Sequence, residues 1–337
     1  MMRVVQLQGP AGRRLAVVRE PLLLLLDSCF SVYDLAQICI ARQRSVSAVV
    51  AELSSGDFIA YDDVYHGNSP WKLLPAVDHP DDPARCMVSG TGLTHMASAK
   101  NRQAMHGKEE DLTDSMRMYR WGVDGGKPAP GEIGVPPEWF YKGTGTCLRA
   151  HNTALTIPEF GEDGGEEPEI AGVYVVDPAG VPWRIGLTQG NEFSDHEFER
   201  RNYLYLAASK LRQCAIGPEL VIGAEFTAVP GTAAIERDGQ PFWSRSIATG
   251  EQNMSHSVAN LEHHHFKFEG HRRPGDLHVH FFGADAFSFG EGILLREGDV
   301  MQVSFQGYGR PLRNRLARVH RHPQPVAVRT LEEGDGK

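Results

Sequence analysis

The residues best placed to do chemistry are acidic. Glu166-Glu167-Pro168-Glu169 enters an apolar run, and Asn191-Glu192-Phe193-Ser194-Asp195 follows the next expected strand. On a strand, alternate side chains share a face, so Glu167 and Glu169 project together. Two carboxylates on one face repel unless a cation lies between them. A hard cation such as Mg2+, with Mn2+ as the alternative, suits carboxylate and water ligands. Glu192 would complete a set of three metal ligands with positions left open for a substrate. The competing reading is an exposed acidic turn. Against it stand Ile170, Val173 and Val175, which make the segment look like a core strand, where unpaired carboxylates are costly.

Histidines offer a rival site. Glu262-His263-His264-His265 and His278-Val279-His280 could hold a transition metal, and His278 and His280 would share a strand face. The flanking residues do not fit a His-x-His barrel site: Gly275 is too close and Glu291 too distant. Consecutive histidines also cannot all face one point. Packing and orienting roles are expected instead, with His280 able to line a pocket. Phe281-Phe282 reads as core, with Phe282 a candidate substrate contact, and Cys147 as a buried inert thiol, with a reactive thiol as the alternative. The glycines of residues 122–126 lack the strand-turn-helix setting of a phosphate loop.

These side chains need a scaffold. The chain has 337 residues, 41% of them hydrophobic and 23% charged, so a substantial core is expected. A net charge of -9 argues against a nucleic-acid partner. The arginines of residues 310–321 read as a solvated surface, with a phosphate-binding arm as the alternative. Five cysteines without a CxxC pair point to a reducing, cytoplasmic compartment. The leucine run of residues 22–26 is far too short to span a membrane, and no membrane partner is expected. Residues 4–8, 14–18 and 22–26 read as strands, and residues 32–42 and 45–53 as helices. Residues 78–83 look like a linker and residues 122–137 a long loop. Residues 170–176, 183–187, 277–282 and 299–305 read as strands, and residues 198–211 as a helix. Strands outnumber helices without a βαβ rhythm, which predicts an α+β fold with a largely β core. It divides into a small N-terminal domain (residues 1–80) and a larger catalytic domain (residues 85–330).

An ordered set of motifs carries a resemblance. Glu167-Pro168-Glu169, Gly190-Asn191-Glu192-Phe193-Ser194, Leu206-Ala207-Ala208-Ser209-Lys210 and Ile216-Gly217-Pro218 are similar to the Glu-x-Glu strand, Asn-Asp-x-Ser turn, lysine and Gly-Pro step of the fumarylacetoacetate hydrolase superfamily. Trp139-Phe140-Tyr141-Lys142-Gly143 resembles its Phe-x-Lys segment. Pro274-Gly275-Asp276, Glu297-Gly298-Asp299-Val300 and Pro311-Leu312-Arg313-Asn314 resemble its Pro-Gly-Asp strands and terminal Leu-x-Asn. The match covers roughly residues 85–316. The chain departs from the pattern at Glu192, where the superfamily has Asp, and at His196, where it has Arg. The hydrolases' His-Glu pair has no counterpart with the familiar spacing around His95 or His106, which favours a non-hydrolytic member.

The resemblance implies a small β-rich N-terminal domain before a mixed β-roll, a homodimer, and Glu167, Glu169 and Glu192 on Mg2+. Gly-Leu-Thr-His, Glu-Trp-Phe-Tyr-Lys-Gly, Gly-Glu-Glu-Pro-Glu-Ile and Asn-Leu-Glu-His-His-His look like a bacterial branch tied to non-phosphorylative pentose breakdown. That implies dehydration of a 2-keto-3-deoxypentonate to 2,5-dioxopentanoate. The metal would stabilise the enolate formed when a C3 proton leaves. Lys210 and Lys142 are candidates either to move that proton or to hold the substrate carboxylate, with His95 the next candidate for proton transfer. Ser194, His196, Pro218, His280 and Phe282 are the expected substrate contacts, and residues 106–137 a lid. The alternatives are a hydrolase cleaving a carbon-carbon bond of an acylpyruvate-like diketo acid, and a sugar-acid-binding regulatory protein without catalysis.

Overall fold

The computed structural model describes residues 1–106 and 113–331. Its spine is a 13-stranded sheet. Across it run Ser54–Ala60, Leu22–Leu26, Gly12–Arg19, Met2–Gly9, Leu220–Ile222, Pro182–Asn191, Pro168–Val176, Leu277–Phe281, Cys86–Gly92 and Glu138–Thr144. A second sheet orders Gln240–Thr249, Val229–Arg237, Val300–Phe305, Leu312–Arg318 and Leu155–Ile157. The α+β expectation with a β-rich body holds.

Local chemistry explains the elements. The first helix, Val32–Arg42, begins where the Ser31 side chain accepts from the Asp34 amide, and Val46–Glu52 begins likewise at Ser45; such caps satisfy amides left unpaired at a helix start. Pro168–Val176 is buried at every position. That is why its sequence reads as a continuous apolar run and not an alternation.

The expected boundary at residues 80–85 is a feature of chain order. Met2–Gly9 pairs with Leu220–Ile222, so the N-terminal strands join the catalytic sheet. One apolar core contains Val4, Leu35 and Val49 together with Val88, Ala171 and Val279. The expected linker is anchored, since Asp78 accepts from Gln6 and Arg13.

Several expectations need correction. Residues 122–137 are not all loop: helix Asp114–Gly125 occupies the start, because Met116, Tyr119 and Gly122 give it one buried face. Residues 198–211 are not one helix. Asn202, extended at φ -163°, ends His196–Arg201, and a 3-10 turn leads into Leu206–Lys210. The expected lid falls partly on residues 107–112, outside the described residues; the rest is that helix and irregular chain. Arg310 and Arg313 are not free surface charges, being paired with Glu20, Asp62 and Glu236.

Candidate active site

The site is assembled by the central antiparallel pair. Pro168–Val176 lies against Pro182–Asn191 with Glu169 opposite Gly190, and the Glu192 amide donates to the Glu167 carbonyl at 2.9 Å. Glu192 is thereby carried beside the Glu-x-Glu face. Carboxylate oxygens of Glu167, Glu169 and Glu192 lie within 4.8 Å of one another, all buried. Among the described residues this is the only such group of metal-capable side chains.

Two lysines reach the cluster. Lys210, ending helix Leu206–Lys210, donates to Glu167 Oε1 and Glu192 Oε2, each at 2.6 Å, and to Ser194 Oγ at 2.9 Å. Lys142, on strand Glu138–Thr144, forms an ion pair with Glu192 Oε1 at 2.6 Å and donates to the carbonyls of Glu192 and Phe193. Burial opposes charge on Lys210, but Glu167, Glu192 and Glu199 around it raise its pKa well above the ordinary value. With these carboxylates as its partners, the charged ammonium form is favoured.

The three carboxylates differ. Burial works against the charged form of Glu167, yet Lys210 and His196 hold its pKa well below the usual range. Burial, with Glu192 and Glu167 nearby, pushes Glu169 well above it, and burial also raises Glu192 against the pull of both lysines. Glu169 takes one hydrogen bond, from the Gly283 amide at 2.7 Å. Gly283 sits at φ +101°, and a Cβ there would collide with Thr94 Oγ1; only glycine presents its amide this way. A buried oxygen cluster whose third member lacks a countercharge is what a hard divalent cation fits.

His196 does not stand free to meet a ligand. Its Nε2 is 3.2 Å from Glu167 Oε1, its Nδ1 3.7 Å from Asp163 Oδ2, and Phe287 stacks on the ring at 4.7 Å. Burial opposes protonation, but Asp163 and Glu167 raise its pKa to about 10. It is an imidazolium that fixes Glu167.

A narrow pocket opens onto Glu167, Glu169 and Lys210, walled by Phe140, Phe287 and the helix residues Ser98 and Arg102. Its free volume is about 10 Å3, room for about one water, so a sugar acid enters only as the walls move apart. Two charged groups that sequence reasoning missed also line it. Glu138 is buried with neither carboxylate oxygen hydrogen-bonded, and burial, opposed by Arg102, pushes its pKa up to about 7. Gly92 lies opposite it in the strand pair, and a Cβ there would strike the carboxylate. Arg102 pairs with Glu199 at 2.8 Å and leaves its Nη1 without a partner. The available signal was the Glu-Trp-Phe-Tyr-Lys-Gly run, where alternation puts Glu138, Phe140 and Lys142 on one strand face. Nothing in the local sequence marks Arg102.

Other anticipated residues lie elsewhere. His95 is locked between Thr94 Oγ1 (2.9 Å) and Thr249 Oγ1 (3.1 Å), and burial lowers its pKa to about 3. His280 is locked between Ser89 and Thr91 at 2.9 Å each, and burial likewise lowers it to about 3. Phe282 is fully buried in the second core, and Pro218 follows a cis bond from Gly217. None of the four lines the pocket. Ser194 is close, bonded to Lys210 and to Glu192. The histidine run gathers no metal-ligand group: His265 is spent between Trp139 Nε1 (3.1 Å) and His278 Nδ1 (3.0 Å).

No family model matches the chain. It is 26% identical over 289 residues, covering 82% of this chain and 84% of the relative, to a probable 2-keto-3-deoxyxylonate dehydratase of Haloferax volcanii. Among solved structures it is similar to 2-keto-3-deoxy-D-arabinonate dehydratase in its apo form, with TM-score 0.70 and 18% identity. The same is true of the form complexed with magnesium and 2,5-dioxopentanoate, with TM-score 0.69 and 17% identity. Each covers 95% of this chain and 100% of that one. The chain thus has the fold of these dehydratases, as the resemblance implied. No helix of the described residues is long and apolar enough to cross a membrane.

Proposed function

From this shared fold we propose that the chain is a metal-dependent hydro-lyase that dehydrates a 2-keto-3-deoxypentonate to 2,5-dioxopentanoate, with Mg2+ or Mn2+ on Glu167, Glu169 and Glu192. The observation that carries the reading is the buried carboxylate triad beside a pocket that also holds charged Lys210 and an unpartnered Glu138. When bound, the cation supplies Lewis acidity, polarising the 2-keto group so that the C3 protons become acidic.

The chain's own residues divide the remaining work. Lys210 presents a fixed positive charge to the anionic end of the substrate and steadies charge that develops there. Lys142 is spent on Glu192 and its carbonyl and positions that ligand, while His196 orients Glu167. Proton transfer falls to Glu138, whose pKa of about 7 suits a base that works near neutrality. Glu138 takes a proton from C3. The C4–O bond breaks, and the hydroxyl leaves as water with the proton returned by the same carboxyl. Transfer of a C5 proton to C3 then converts the allylic alcohol to the C4–C5 enol, and movement of the enol hydroxyl proton to C4 gives the aldehyde. Phe140 and Phe287 exclude water from the reacting carbons.

The absence of a CxxC pair and the five free thiols support a reducing cytoplasmic setting, and the superfamily resemblance supports a homodimer. The deciding experiment is a product assay on 2-keto-3-deoxypentonate with Mg2+, with and without a chelator, read for oxidisable semialdehyde and for pyruvate in parallel. Chelator-sensitive semialdehyde without pyruvate is the expected result. Pyruvate release would replace dehydration with carbon-carbon cleavage.

A further inference from the structure

Two of the five thiols have been brought together from distant parts of the chain. Cys147 closes the short 3-10 turn Gly145–Cys147, and Cys214 opens the strand Cys214–Ile216. The segments run in parallel, with Leu148 beside Cys214 and Arg149 beside Ala215. Cys147 Sγ lies 3.8 Å from Cys214 Sγ. Cys214 is buried and Cys147 only partly so, which makes Cys147 the more accessible member of the pair. We propose that Cys147 and Cys214 are an oxidation-sensitive pair that closes to a disulfide and, in closing, disturbs the carboxylate site.

The geometry permits the bond. A disulfide requires the sulfurs at about 2 Å and paired backbones at close range. The strand pairing brings the two backbones near each other, but Cys214 lies opposite Leu148 and not Cys147, so closing the 3.8 Å gap between the sulfurs draws the two segments together as well as rotating the side chains. The co-reactant is a hydroperoxide. The Cys147 sulfur attacks the distal peroxide oxygen, the O–O bond breaks, and the other oxygen leaves as water or alcohol, taking the thiol proton. Cys147 is then a sulfenic acid. Cys214 sulfur attacks that sulfur, the S–O bond breaks, and hydroxide leaves as water with the Cys214 proton. Two thiols are oxidised and one peroxide is reduced. The first step falls to Cys147 because it is the less buried member, and the hydrogen bond with Cys214, aided by Lys142, lowers its pKa against burial.

The pair is coupled to the site on both sides. A Cβ on Gly143 would sit 3.4 Å from Cys147 Cβ and Sγ. Gly143 adjoins Lys142, which grips Glu192. On the other side, Ala215 and Ile216 pair with Asn191 and Gly190, next to Glu192. Drawing the sulfurs together therefore moves the two supports between which Glu192 is held. Disturbing groups that orient a metal ligand typically costs about 10–100-fold in metal affinity.

The metal arm rests on the proposed ligand set, but the bond itself does not, and the readouts keep them apart. Reduced full-length protein would be treated with hydrogen peroxide. Thiols would then be titrated, tryptic peptides mapped without reduction, and Mn2+ affinity measured by titration of the metal alone. The expected result is loss of two of the five thiols, a Cys147–Cys214 linked peptide, and Mn2+ affinity lowered about tenfold, all reversed by dithiothreitol. Cys147→Ser should bind Mn2+ like the unmodified protein and lose the response, whereas Cys39→Ser should keep it. A link from Cys147 to Cys86, a bond between two chains, or Cys147 sulfinate without a link would overturn the pair. A linked peptide with unchanged Mn2+ affinity would overturn the coupling. Absence of sugar-acid dehydration would leave all three readouts intact and would count against the proposed reaction alone.

Discussion

At the scale of single residues, the site is a set of carboxyl groups kept in different protonation states by their surroundings. Glu167 is held ionised by Lys210 and His196, while Glu138, buried and without hydrogen bonds, is left poised near pH 7. The base form of Glu138 carries the activity in the proposed mechanism, so kcat/KM should rise through about pH 7 on the acid side. Glu138→Gln should lower kcat by about 10²–10⁴-fold, the usual range for removing a general base, and leave Mn2+ binding intact. Steady-state rates with a parallel metal titration check both halves, and near-normal turnover in the variant would remove Glu138 from the chemistry. Glu169→Gln separates the roles the other way. Ligand binding to the native state adds about 2.7 kcal/mol at a concentration 100 times the dissociation constant. The rise in thermal midpoint on adding Mg2+ should therefore be largely lost in that variant. An undiminished rise would mean that the cation is held elsewhere.

At the scale of elements, the site depends on backbone approaches that side chains could not make. Gly283 follows strand Leu277–Phe281 by two residues and turns its amide to Glu169. Gly283→Ala should place a Cβ against Thr94 in a left-handed conformation, destabilising the protein by about 1–3 kcal/mol and weakening metal binding together with it. Urea unfolding and Mn2+ titration test this, and a variant as stable as the parent would show that the turn can relax. The helix Met96–His106 contributes through a side chain instead. Its Arg102 reaches the buried Glu199, which also lies 3.5 Å from Lys210, so helix position and site charge are linked. Arg102→Met would leave Glu199 buried beside Lys210 without its guanidinium partner, a change of the kind that costs about 3–5 kcal/mol. That loss should appear in urea unfolding, and a smaller one would mean that water already shares the ion pair.

At the scale of the whole molecule, one sheet runs from the N-terminal strands to Glu138–Thr144, and a layer of neutral histidines lies buried on it. His280 and His278 pair with Gly172 and Tyr174 across the strands. Burial first, then neighbouring imidazoles, lowers His280 to about 3. The sign of the effect on stability follows directly. Above pH 6.5 the ring is neutral in both states and contributes no difference. Below it, the unfolded chain takes up a proton that the folded one refuses until about pH 3, so stability falls as pH falls through this window. For one such group the loss between pH 7 and pH 5 is about 2 kcal/mol. His280→Gln, which can still bond Ser89 or Thr91, should lose less stability over that interval by about this amount. Urea midpoints of both proteins at the two pH values decide it, and equal losses would mean that His280 takes up its proton in the folded state as well.

Much of this was legible along the chain, and the reason is locality. Glu167 and Glu169 alternate on one strand, Glu192 ends the next, and a strand pair joined by a short turn has few registers open to it. The triad, the strand-rich class and the helices of residues 32–42 and 45–53 are consequences of short-range pattern, while the two lysines follow from the resemblance of the ordered motifs. What the tertiary structure decided is what depends on distance. It turned His95 and His280 from candidate site residues into hydroxyl-bound core side chains, because Thr249 meets His95 and Ser89 and Thr91 meet His280 from far along the chain. It left Glu138 unpartnered and put Arg102 beside Glu199. It also merged two expected domains through one strand pair and set Cys147 against Cys214. Protonation and partnership are fixed by which distant atoms share a dry space with a group, and no local spacing records that.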